Sequence, residues 1–150
     1  MQFKLEDYNE QKHDLFKALS VRQPYANYIA TGEKRIEVRS RPTSFRGDVL
    51  ICSSQHPTKK DADGYGCTIA KVEIYDCKPL SELSDQEWED TCLPREVIEK
   101  IRQNPKGFAW MLRRPRRALE FPVKGQLGIW NLVYTKGVIV PYPYALDDWD

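Results

Sequence analysis

The order of apolar and polar positions changes period several times over the first third of the chain. Residues 17–21 (KALSV) read as a short strand. In 24–32 (PYANYIATG), Tyr25, Tyr28 and Ile29 fall at i, i+3 and i+4, so the spacing predicts a helix of a turn or two. Pro24 suits its first turn and Gly32 its end. Arg35, Glu37 and Arg39 then alternate with Ile36, Val38 and Ser40, which is strand periodicity with one charged face. Lys34 has the parity of Ile36, so a turn or bulge after Gly32 is needed to re-aim it. Residues 42–47 read as a turn, and 48–54 (DVLICSS) as a buried central strand.

Further along, 55–66 is a polar loop and 67–77 returns to strand alternation. Ser84 and Glu87 form a capping box that opens a helix, and Val97, Ile98 and Ile101 mark a second helix after Pro94. Residues 107–114 (GFAWMLRR) read as a short helix or turn, and 114–134 as two closing strands separated by Lys124 and Gly125. Short strands with helices inserted between them predict an α+β domain built on a small curved sheet or barrel. The expected division is a lead-in over 1–16, frayed or a short late-docking helix, one domain over 17–135, and an acidic, proline-broken tail over 136–150.

Charge adds a local contrast to this pattern. The 150 residues carry 23 Lys and Arg against 22 Asp and Glu, so no global field draws the protein to nucleic acid or an anionic membrane. Residues 32–47 nevertheless hold five cations and two acids, while 81–99 hold seven acids and one arginine. The acidic block offsets the basic segment and hides it in the total. Cys52, Cys67, Cys77 and Cys92 form no CxxC pair and read as reduced, mostly buried thiols. With only His13 and His56 beside them, no metal and no cofactor is expected. The N-terminus lacks an apolar signal core and no run of about 18 apolar residues occurs, so a cytoplasmic protein without a membrane segment is expected.

Gln23, Pro24, Tyr25 and Ala26, followed by Gly32, Lys34, Glu37 and Arg39 in a Gly-x-Lys-x-x-Glu-x-Arg pattern, resemble the ASCH domain of the PUA-like superfamily. Trp110, Lys124, Gly125, Gly128 and Trp130 look like its closing strands. The resemblance spans about residues 17–135. It implies a small PUA-like β-barrel with peripheral helices, a cleft near Lys34, Glu37 and Arg39, and a role in binding RNA, nucleosides or nucleotides. A similar bacterial branch consists of amidohydrolases acting on N4-acetylcytidine, with a Lys, a Thr and a carboxylate. Here Glu37 stands where that branch has Thr, and a carboxylate cannot act as the same hydroxyl nucleophile. Glu89 and Asp90 are the nearest candidates for the branch's carboxylate.

Each candidate carries a functional and a bland alternative. Lys34, Glu37 and Arg39 line a mixed-charge cleft or form an ion pair on a solvated strand, worth at most about 1 kcal/mol. Gln23 presents its amide to a base edge or caps the helix; Tyr25 and Trp110 stack on a base or belong to the core. Trp130 reads as core, and Ser53 and Ser54 as strand-end serines. Arg113, Arg114, Arg116 and Arg117, joined by Arg41 and Arg46, form a phosphate track or solvated surface.

Three functions follow. The first is an RNA-binding or nucleoside-binding module in which Glu37 reads a base amine. The second is an amidohydrolase acting on an acylated nucleobase, with Lys34, Glu37 and Glu89 as its catalytic groups. The third is an interaction domain that docks a basic protein through the acidic segment 81–99.

Overall fold

A computed structural model describes residues 1–139. Seven strands form one mixed sheet: β1 (Gln2–Phe3), β2 (His13–Val21), β3 (Ile36–Arg39), β4 (Gly47–Ser53), β5 (Thr68–Pro79), β6 (Phe108–Arg117) and β7 (Ile129–Thr135). Their order is β1-β7-β2-β4-β5-β6-β3. β2 and β4 pair in parallel and the other neighbours antiparallel. Three helices accompany the sheet: α1 (Tyr25–Thr31), α2 (Asp85–Glu89) and α3 (Arg95–Gln103). The architecture is thus α+β. No ladder between the edge strands β1 and β3 closes the expected barrel among the described residues.

Alternation along the strands sorts the core onto the two sheet faces. On one side Leu19, Val49, Ile51, Val72, Trp110 and Leu112 pack with Ala26, Ile29 and Ala30 of α1. Elsewhere Leu50, Trp130 and Leu132 form a second cluster, and Ile36, Ala109 and Met111 meet Leu80, Leu83 and Trp88 in a third. β3 therefore presents Ile36 to the α2 side and Glu37, one residue on, to the Trp110 side, opposite which it is registered.

Several expectations change. Residues 108–112 (FAWML) are strand, not helix or turn. A short apolar run fits both periods, and β6 packs Trp110 and Leu112 into one core cluster and Ala109 and Met111 into another, so it needs apolar residues on both faces. Pro115 is tolerated in β6 because the β5 register slips between Lys71 and Glu73, making a bulge beside Arg114 at φ +57°. Of the two closing strands only β7 forms; 118–128 is irregular apart from bridge positions at Ala118 and at Pro122, the latter paired with Cys67. β2 starts at His13 rather than 17, and Gln2 and Phe3 pair with β7, so residues 1–16 supply sheet as well as a 3-10 turn. Of the acidic tail, residues 140–150 lie outside the described residues.

Candidate functional site

The charged segment is set up by the two elements that flank it. Gln23 turns its amide inward: Oε1 accepts from the Asn27 N–H, and Nε2 donates to Asn27 Oδ1 and the Gly64 carbonyl. It thereby caps the first turn of α1 and ties it to the loop before β5. Gly32 ends the helix at φ +84°, in the left-handed region that glycine adopts without a Cβ penalty. The Lys34 N–H then donates to the Tyr28 carbonyl, and the N–H groups of Arg35 and Ile36 both donate to the Asp90 carbonyl at the end of α2. This turn precedes β3 and frees Lys34 from strand parity, as the sequence required.

Lys34 is 3% exposed and Glu37 8%. Lys34 Nζ donates to the carbonyls of Ile36 (2.7 Å) and Thr91 (2.6 Å) and lies 3.5 Å from Glu37 Oε1. Glu37 Oε2 accepts from Arg39 Nε at 2.8 Å and sits 2.7 Å from its Nη2, which also donates to the Ser20 carbonyl. Tyr25 lies beneath Nζ at 5.4 Å, and the Arg39 guanidinium is 5.7 Å from the Trp110 ring. Trp110 Nε1 donates to the Arg41 carbonyl. Tyr25, Lys34, Glu37 and Arg39 line a cleft of about 280 Å³ with Ser20 and Leu93. That is near the roughly 300 Å³ lower limit of small-molecule pockets.

Burying Lys34 and Glu37, with Arg39 half-buried beside them, costs several kcal/mol per buried ion unless each is paired and bonded. Here both cations are held by backbone carbonyls as well as by the carboxylate between them. Burial, the largest influence, pushes the Lys34 ammonium below the usual lysine range, and Glu37 pulls the other way. The bland reading of a solvated ion pair therefore does not describe this group.

The arginines lie differently. Arg113 Nη2 and Arg114 Nη1 donate to the two oxygens of Glu73, at 2.8 and 3.3 Å, and Arg113 stacks 4.7 Å from the Tyr75 ring. Arg116 makes a two-pronged contact with Asp48. Arg46 donates to the carbonyls of Thr43 and Phe45. Arg41 and Arg117 are exposed. None of these six side chains lines the cleft. Glu89 is exposed and belongs to a separate hollow between α2 and α3, and Asp90 contributes its carbonyl. In the acidic segment, Asp85 pairs with Arg102 and Glu87 with Lys78. Cys52, Cys67, Cys77 and Cys92 are free thiols, and burial pushes Cys52 up to about 12 and Cys67 to about 11. No cluster of three or more His, Cys, Asp or Glu suited to a metal occurs among the described residues. No helix among them is long and apolar enough to cross a membrane.

A sequence profile of the ASCH domain matches residues 19–118, which include the whole Lys34, Glu37 and Arg39 segment. The chain belongs to the ASCH domain family. Activating signal cointegrator 1 of Mus musculus is 25% identical over 136 residues, and that of Homo sapiens 24%; each match takes in 76% of this chain and 22% of the relative. This ASCH chain thus spans about a fifth of the length of these curated relatives. Among solved structures, ASCH from Zymomonas mobilis superposes with a TM-score of 0.56 at 16% identity, covering 70% of this chain and 71% of that one. A mutant form of that protein gives 0.58 at 14% identity, covering 79% and 87%. These likenesses concern the fold.

The groups that sequence reasoning missed are mostly backbone. The carbonyls of Ser20 and Thr91 anchor the two cations, and that of Asp90 holds the start of β3. A carbonyl carries no side-chain signal, so the residue types along the chain do not mark these partners. Leu93 in the cleft wall was missed because a lone leucine between α2 and α3 has no periodic partner that marks it.

Proposed function

We propose that this ASCH domain is a binding module for RNA or a modified nucleoside, with Glu37 as the group that reads the base. The observation that carries this reading is a nearly buried carboxylate fixed between two cations that are themselves bound to backbone carbonyls. Such an arrangement cannot reorganise cheaply, so it supports recognition by a preset acceptor. Glu37 Oε1 has only the 3.5 Å contact with Lys34, and Arg39 Nη1 makes no hydrogen bond among the described residues. An acceptor beside a donor suits a base edge with an exocyclic amine next to a ring nitrogen or carbonyl. Tyr25 and Trp110 would flank the ligand through the cations they support, and Arg41, Arg46 and the β6 arginines would meet phosphates outside the cleft. Gln23, with both ends of its amide already engaged, would hold the wall rather than contact the base.

The test is titration of cytidine, uridine and a short single-stranded RNA into the wild type and Glu37→Gln. Loss of cytidine and RNA binding in a Glu37→Gln variant that is still folded at the titration temperature, as its circular dichroism shows, supports the reading, and unchanged affinity ends it.

A second reading, an amidohydrolase acting on N4-acetylcytidine, is favoured by the lowered Lys34 pKa, which raises the share of neutral amine available as a general base. It requires Nζ to release one of two carbonyls and direct a lone pair at water, with Glu37 orienting that water. Glu89 has no part in it, since it lies outside the cleft. Release of cytidine by the wild type and not by Lys34→Ala, followed by chromatography, would replace the binding module with this enzyme.

A further inference from the structure

Beside the cleft lies a groove of about 510 Å³ of which the cleft reading uses only the β6 arginines at its rim. Its floor is apolar and buried, made by Ile29, Val72 and Leu112. Its rim is cationic, with Arg35, Arg113 and Arg114. Lys34 lines both the groove and the cleft, so the two share a wall. Tyr75, 39% exposed, stands at the side with the Arg113 guanidinium stacked on its ring.

The balance of charge in this groove is positive. Glu73 is shared by Arg113 and Arg114 and so offsets one of them. Among the described residues the Arg35 side chain bonds only the Gly32 carbonyl, at 3.3 Å, and has no carboxylate within ion-pair distance. A lone phosphate gains nothing from the apolar floor, and a neutral apolar molecule gains nothing from the guanidinium rim. A flat ring joined to a phosphate uses both, because bases stack on aromatic and guanidinium planes while arginine forks take phosphate oxygens. Continuity with the cleft through Lys34 favours a nucleotide over an acidic peptide.

We infer that this groove is a second nucleotide subsite, which takes the base and phosphate adjoining the nucleotide held by Glu37. The preferred ligand is then a single-stranded oligonucleotride segment rather than a free nucleoside. This deepens the binding-module reading and rests on it. The experiment compares cytidine with the RNA trinucleotide ApCpA by calorimetry on the wild type, Arg35→Ala and Tyr75→Ala, with the methyl NMR signals of Val72 and Leu112 as a second readout.

ApCpA should bind the wild type about fivefold to a hundredfold more tightly than cytidine, the gain from one stacked flanking base. Both variants should lose that increment while keeping cytidine affinity, and ApCpA but not cytidine should shift the two methyl signals. Equal affinity of cytidine and ApCpA, or an increment that survives both variants, overturns the subsite and leaves the cleft reading standing. Methyl signals that ignore ApCpA but move with an Asp-rich and Glu-rich peptide assign the groove to a protein partner and also overturn it. Binding of neither cytidine nor ApCpA overturns the binding-module reading itself and the subsite with it.

Discussion

The segment containing Lys34, Glu37 and Arg39 and the arginine run of β6 are both cations paired with carboxylates, yet they occupy opposite environments. In the first, Lys34 and Glu37 are almost wholly buried, and both cations are also bonded to backbone carbonyls. In the second, the side chains of Arg113 and Arg114 are 56% and 64% exposed, and Glu73 holds both. Exposed pairs are screened and contribute little, whereas a buried triad fails badly when one member is removed. Charge density in a sequence does not separate these cases. What separates them is the frame: Gly32 and the turn after it drive Lys34 inward, whereas a bulge at Arg114 leaves its neighbours on the sheet surface.

Substitutions test this contrast, beginning with the largest expected effect. Lys34→Met should lower the unfolding free energy by about 3 to 5 kcal/mol, because it leaves Glu37 Oε1 and the carbonyls of Ile36 and Thr91 without their buried cation, with only Arg39 still on Oε2; urea titration reads this directly. A loss below about 1 kcal/mol would make the triad an ordinary surface pair. Trp110→Phe keeps a ring beside Arg39 but removes the bond to the Arg41 carbonyl, so about 1 kcal/mol should go in the same assay.

Asp48→Asn, at the partly exposed contact with Arg116, should cost at most about 1 kcal/mol. The hydrogen bond from Arg116 holds the Asp48 carboxyl below its ordinary value of 3.8. Its contribution is therefore present above that value and lost as pH falls through the lowered one. Stability curves of wild type and Asp48→Asn should differ at neutral pH and converge in acid. Smallest is Glu73→Gln, which should leave thermal unfolding unchanged. By releasing Arg113 and Arg114 it should steepen the salt dependence of RNA binding, by about 0.7 in the log–log slope for each phosphate newly engaged.

Much of the fold was legible where local chemistry dictates it. Tyr25, Tyr28 and Ile29 at helical spacing, the Gly32 stop, and the Ser84 and Glu87 capping box all correspond to observed elements. The alternation of Ile36 and Val38 with Glu37 and Arg39 likewise became β3. The error at 108–112 arose because β6 owes its character to neighbours on both sides, which no local period records. The first residues were underread for a similar reason, since Gln2 and Phe3 are strand only through pairing with Tyr134 and Val133. For the site, the three charged residues were visible, but their anchoring was not. It depends on Ser20 and Thr91 carbonyls that lie far off in sequence.

The central claim is that Glu37 is a fixed acceptor that reads a base amine. Calorimetric titration of the unmodified protein with cytidine and with uridine tests it most directly, since the two differ at the amine and need no substitution that disturbs the fold. The account predicts that cytidine binds at least about tenfold more tightly, the worth of one hydrogen bond to a charged group. Equal affinity for the two would contradict it.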